Sequence, residues 1–309
     1  MTMMKPKEVV AHPFAILTGP VIRIVVTTIL ALIAFAANSV LCKMALGAKT
    51  IDASGFTIIR MLSGILVLMM IFAATKQRSA KASTNTPKGS WSAGIYLFIY
   101  ALAFSFAYVS LDTGVGALIL FTAVQVTMIL TGLFKGHRFS RFEWLGLATA
   151  FSGFIYLILP SVSSPSLVGF VLMIAAGMAW AGYTFAGQGT KNPIADTAFN
   201  FLRTLPLVLA LFVVSLPYIE VSVNGAILAI LSGGVASGVG YAIWYSALRG
   251  LSTIQAAIVQ LLVPIIAAIG GILFSNEVVS VRLIIATGVI LGGISMVILA
   301  KHKLVLPAK

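Results

Sequence analysis

The chain has 309 residues, 60% of them hydrophobic and only 9% charged, with a formal net charge of +13. Soluble domains carry about 25% charged residues, so a water-soluble fold is excluded and an all-α integral membrane protein is expected. Continuous apolar runs without period-two alternation exclude a β-barrel, and the single cysteine, Cys42, excludes an intrachain disulfide.

Residues 1–21 carry Lys5, Lys7 and His12 among prolines, too polar for a signal-peptide core, and read as a cytosolic tail. Ten apolar spans follow at 22–46, 53–74, 91–110, 115–135, 144–160, 166–188, 197–217, 224–248, 252–274 and 281–300. Each is long enough to cross about 30 Å of hydrocarbon. Only the link at 75–90, TKQRSAKASTNTPKGS, is long and polar. Residues 301–309 form a short basic tail.

With ten spans both termini share a side. That side holds Lys5, Lys7, Arg23, Lys76, Arg78, Lys81, Lys88, Lys135, Arg138, Arg141, Lys191, Arg249, Lys301, Lys303 and Lys309. The other holds Lys43, Lys49 and Arg282. The bias predicts cytosolic termini, and it explains the basic charge as a topology signal rather than a nucleic-acid surface.

The halves repeat. Shifted by 143, Ala36, Phe56, Arg60, Leu62 and Leu66 fall on Ala179, Phe199, Arg203, Leu205 and Leu209. Shifted by 140, Thr113, Ala117, Ile129, Leu133, Phe134, Ser140 and Gly153 fall on Thr253, Ala257, Ile269, Leu273, Phe274, Ser280 and Gly293. An ordered series with one small change of offset predicts two five-helix repeats, 22–160 and 161–300. An odd number of spans turns the second repeat upside down, as in many secondary transporters.

All seven acids, Glu8, Asp52, Asp112, Glu143, Asp196, Glu220 and Glu277, and the histidines His12, His137 and His302 fall at span ends or in loops. No carboxylate or imidazole is therefore expected at mid-bilayer, which argues against a carboxylate proton relay and against an intramembrane hydrolase. No metal-ligand cluster or phosphate-cradling glycine loop is present, so no metal or cofactor is expected.

Tyr96, Tyr100, Phe104 and Tyr108 make a stripe along the third span, with Tyr96 and Tyr108 placed as an interfacial belt. Trp180 and Tyr183 share a face of the sixth span, in MIAAGMAWAGYTFAGQG, and Tyr241, Trp244 and Tyr245 a face of the eighth. Trp180, Tyr183, Tyr241 and Trp244 lie deeper and are read as cavity lining, since a phenol or indole in lipid needs a polar partner. Asn38, Ser39, Thr122, Gln125, Ser237, Gln255 and Gln260 are uncharged polar residues within spans. Interhelical hydrogen bonds and a cavity both account for them; Asn38 and Gln125, deep and large, are read toward the cavity.

Gly234 with Gly238, and Gly288 with Gly292, have small-xxx-small spacing for close helix packing. Pro206 and Pro264 are expected to kink their spans and turn carbonyls toward a cavity. Lys43 either snorkels or meets a substrate carboxylate, and Arg60 and Arg203 either snorkel or form structural salt bridges.

The motifs MAWAGYTFAGQGTK and YAIWYSALRGLSTIQAAIVQLLVPIIAAIGGILFSNEVVSVRLIIATGVILGGI, with Pro264, Asn276–Glu277 and Gly293 in order, resemble the drug/metabolite transporter superfamily in its ten-helix branch with two EamA-type repeats. The resemblance spans about residues 22–300. Lys43 and Arg60 match family-like positions; Val124 stands where a proline is common and His137 where a glutamate is common. Trp180, Tyr183, Tyr241 and Trp244 are similar to the aromatic amino-acid exporters.

The resemblance implies a non-enzymatic transporter of small metabolites. The reading is an inner-membrane exporter of amino acids, or of another metabolite, drug or nucleoside, acting as a monomer by alternating access. Substrate contacts are expected at Asn38, Lys43, Tyr100, Phe104, Gln125, Trp180, Tyr183, Tyr241, Trp244 and Gln260.

Overall fold

The computed structural model describes residues 20–78, 89–134, 139–159, 165–187, 192–248, 250–251 and 259–305. The expected N-terminal tail, the centre of the 75–90 link, His137, Gln188, Gln255 and the Tyr245 side chain lie outside the described residues. Ten helical units follow the expected spans: α1 (Pro20–Gly47), α2 (Ala53–Arg78), α3 (Trp91–Tyr108), α4 (Thr113–Phe134), α5 (Arg141–Ile158), α6 (Leu167–Ala186), α7 (Pro193–Arg203 and Leu205–Ser215), α8 (Val223–Ile230, Leu231–Val239 and Gly240–Leu248), α9 (Val263–Ser275) and α10 (Val281–Val305). Eight of them are long and apolar enough to cross a membrane, and α9 is a shorter apolar helix.

Polar residues at the span edges set where the helices begin. The side chains of Ser90, Ser166, Asn192 and Ser222 accept from the backbone N–H three residues on, and Ser140 with Glu143 forms a reciprocal capping box. Outward, the helices present Ile29, Leu66, Met70, Val171, Met178, Val213, Val235 and Ile284, all exposed. An apolar surface on every side suits lipid and no aqueous solvent.

The α1–α2, α3–α4, α7–α8 and α9–α10 connections gather at one end of the bundle, where the start of α6 also packs on the α3–α4 turn. There Ile51 bridges Val221, and Asp52 and Glu220 exchange bonds, Asp52 N–H to the Glu220 carbonyl and Glu220 N–H to Oδ2 of Asp52, each 3.0 Å. The Thr113 hydroxyl and N–H donate to Glu277 at 2.8–3.0 Å. At the opposite end the Gly89 and Ser90 N–H groups donate to Asp196 (2.9 Å) and Asn200 (2.8 Å) at the start of α7. Helix α1 therefore ends where α6 begins.

Helix pairing shows an exchange. Helix α3 packs on α6 as α8 packs on α1; α4 packs on α6 as α9 packs on α1; α2 meets α7, α4 meets α9 and α5 meets α10.

The span of Pro206 is interrupted as expected, at Thr204, and three details add to or differ from expectation. Pro206 and Pro264 each sit in the first turn of a helical segment, where the missing N–H costs nothing. At the α7 break, Arg203 Nη1 donates to the Phe199 carbonyl (3.2 Å) and Thr204 Oγ1 to that of Phe201 (2.6 Å), so side chains satisfy these groups. Gly234 and Gly238 do pack closely, each with Val67 of α2 at 3.1 Å from a hypothetical Cβ, but Gly288 and Gly292 have nothing within 4 Å. Tyr108, placed in the interfacial belt, is instead fully buried and donates to the Thr113 carbonyl at 3.2 Å.

Candidate functional site

Aromatic rings from α1, α3, α6, α7 and α8 meet between the helices. Trp180 of α6 is the hub, with ring centroids 4.8 Å from Tyr100, 5.4 Å from Tyr183 and 5.3 Å from Tyr241. Tyr100 continues to Phe104 at 5.5 Å, and Phe104 to Tyr108 at 4.8 Å. Phe35 of α1 spans Tyr241 (5.9 Å) and Trp244 (5.6 Å), and Phe201 of α7 touches Tyr241 (6.0 Å). The i, i+4 spacing along α3 brings Tyr100 and Phe104 to one face; α6 contributes its face across the α3–α6 contact. Tilted and edge-on rings at these separations are attractive and form a packed apolar cluster.

Arg60 of α2 lies against this cluster. It is 2% exposed, its Nη2 donates to the Tyr100 hydroxyl at 3.2 Å, and its guanidinium carbon is 4.7 Å from the centre of the Phe104 ring. Among the described residues no carboxylate pairs with it. Arg60 therefore neither snorkels nor forms a structural salt bridge. Nothing buries a guanidinium in a membrane bundle cheaply, so its position makes this cluster the candidate site.

The model of the EamA-like transporter family matches this chain twice, over residues 22–159 and 167–299. The chain belongs to the EamA-like transporter family. This transporter is 44% identical over 276 residues to an uncharacterized protein of Pseudomonas aeruginosa, covering 89% of this chain and 94% of that one. It is 26% identical to the threonine/homoserine exporter RhtA of Escherichia coli K12, covering 78% of this chain and 80% of that one. It is 24% identical to an uncharacterized transporter of Archaeoglobus fulgidus, covering 65% of this chain and 73% of that one. A solved crystal structure shares the fold with a TM-score of 0.62 at 17% identity, covering 90% of this chain and 99% of that one.

Of the residues expected to contact substrate, the transporter brings Tyr100, Phe104, Trp180, Tyr183 and Tyr241 into one cluster and joins Trp244 to it through Phe35. Gln125 is buried in α4, and Gln260 is half-buried just before α9, outside the ring contacts. Lys43 is held at 3.5 Å by Asp112 of the α3–α4 connection. Phe35, Phe201 and Arg60 were not among the expected contacts, yet they pack into the cluster. The available signal for Arg60 was a permanent charge two turns inside an apolar span.

Asn38 is engaged in the fold. Ser232 donates to its Oδ1 at 2.7 Å, and its Nδ2 donates to Ser237 at 3.2 Å. Ser232 and Ser237 lie in the π-helical stretch Leu231–Val239. Residues five apart point about 140° apart on an α-helix; the i→i+5 bonding of a π-helix brings them toward one face. The wide turn is what lets one asparagine hold both serines. Asn38→Leu is expected to cost about 1–2 kcal/mol, since both hydroxyls lose their partner in an apolar bundle. A lowered unfolding temperature of the purified variant in detergent checks this, and an unchanged one contradicts it.

Proposed function

We propose that this chain exports amino acids or similar small zwitterions through the aromatic cluster, by alternating access. The observation that carries the reading is the Trp180 hub. Three ring faces converge beside polar hydroxyls and a cation, which suits an apolar side chain next to charged backbone groups. The similarity to the threonine/homoserine exporter supports the same class.

The two repeats, 22–160 and 161–300, are inverted with respect to each other. The exchange in helix pairing supports this, as does α6 starting at the end where α1 stops. The basic residues orient the bundle with both termini in the cytosol of a bacterial inner membrane. The Asp52–Glu220 and Thr113–Glu277 contacts then close the outer end, and Gly89–Asp196 and Ser90–Asn200 the inner end. Rocking one repeat against the other breaks one set at a time. The chain works as a monomer, with the acids near the helix ends and flux running down the substrate gradient.

Proteoliposomes loaded with a panel of labelled amino acids test the reading, with and without an imposed pH gradient. Saturable counterflow that ignores the gradient is expected. Gradient-driven flux keeps the substrate class and removes the facilitated mechanism. Flux of a nucleoside or drug, with none of any amino acid, replaces the substrate class.

A further inference from the structure

Arg60 has an unanswered hydrogen-bond donor. Its Nη1 is buried without a partner, while Nη2 is taken by Tyr100. The Tyr100 and Phe104 rings face the guanidinium at 5.3 and 4.7 Å. Among the described residues, Tyr241 and Cys42 also act on it electrostatically, neither of them a carboxylate. A guanidinium does not shed its proton, so burial cannot neutralise it. Aromatic faces offset only part of the lost hydration. A buried charge left this way is among the costliest features a fold can keep, and a partner of opposite charge relieves it. The repeat-related Arg203 is not a second case, since it donates to Phe199 and lies 5.9 Å over Trp91.

We infer that Arg60 Nη1 is a carboxylate anchor, and that the missing counter-ion is the carboxylate of the transported molecule. The planar fork matches a carboxylate, and the substrate's apolar part then lies along Tyr100, Trp180 and Tyr241. Arg60 stands seven residues after the start of α2, about 10 Å below the end of the bundle. The anchor is therefore off-centre, toward the end closed by Asp52 and Glu220. This placement rests on the proposed site, and the experiment separates the two.

Calorimetric titration of the purified full chain compares L-phenylalanine, L-leucine and L-threonine with their carboxamides, and includes 3-phenylpropanoate, which lacks the ammonium group. At least one acid is expected to bind about 10- to 100-fold tighter than its amide. In Arg60→Met that preference falls below about 2-fold, whereas Arg60→Lys keeps part of it. Gel filtration confirms that each variant is folded. If Arg60→Met does not fold, the wild-type acid-to-amide ratio and Arg60→Lys decide.

Equal binding of acid and amide by the wild type overturns the anchor. So does an acid preference that survives in Arg60→Met, or binding of none of these compounds by folded protein. Arg60-dependent binding of 3-phenylpropanoate with no binding of any amino acid upholds the anchor and overturns the amino-acid reading.

Discussion

Gly233→Leu is expected to leave no folded transporter. A Cβ at Gly233 would overlap the Arg60 carbonyl oxygen and the Ser63 hydroxyl of α2. On the facing helix, a Cβ at Gly64 would come within 2.7 Å of the Phe201 ring and 3.3 Å of the Gly233 carbonyl. The α2 and α8 backbones thus touch directly, and backbone cannot turn aside as a side chain can. Overpacking a core by even small groups costs about 1–3 kcal/mol, and leucine adds four carbons where none fits. The sum approaches the total stability of a fold, about 5–15 kcal/mol. Yield of monodisperse protein and its unfolding temperature measure the effect. Gly292→Ala is the matched control: with open space around it, it is expected to be neutral or to raise stability by up to about 1 kcal/mol. A Gly233→Leu protein as stable as the parent would refute the direct backbone contact of α2 with α8.

Trp180→Ala is expected to lower amino-acid flux by about 30-fold or more. The indole touches Tyr100, Tyr183 and Tyr241 at once. Each aromatic pair is worth about 0.5–1.5 kcal/mol beyond its buried area, so three together reach about 2–4 kcal/mol. Removing the indole opens a void in the ring cluster proposed to hold the substrate side chain. Trp180→Phe keeps a ring and is expected to retain flux within about 5-fold, because one or two of the contacts survive. Counterflow of a labelled amino acid, normalised to folded protein, reads both. Full flux in Trp180→Ala would remove the cluster from the transport path.

Much of the architecture was readable before any coordinates. Crossing hydrocarbon demands about 20 apolar residues in a row, a local property that any window of sequence displays. Two helix starts were set a few residues late, at 144 and 197, because Ser140 with Glu143, and Asn192 before Pro193, cap locally but add no apolar signal. Internal similarity pointed to a repeat, and the aromatic stripe of α3 supplied Tyr100, Phe104 and Tyr108 of the cluster. Trp180 and Tyr183 were legible as one face because i and i+3 lie together on any helix.

Which faces meet was decided by tertiary structure alone. Leu66 is 61% exposed and Leu68 only 1%, yet the residue is the same. Lipid is as apolar as the core, so lipid-facing and buried positions draw on one alphabet and the period loses its contrast. That is why Gly234 and Gly238 pack while Gly288 and Gly292 do not, although their spacing is identical. It is also why Asn38, read toward a cavity, instead holds the π-helical turn of α8. Length and polarity along one chain determined the ten spans and the membrane class. The candidate site emerged only when α2 was set against α3 and α6, placing the Arg60 charge on rings that lie far from it in sequence.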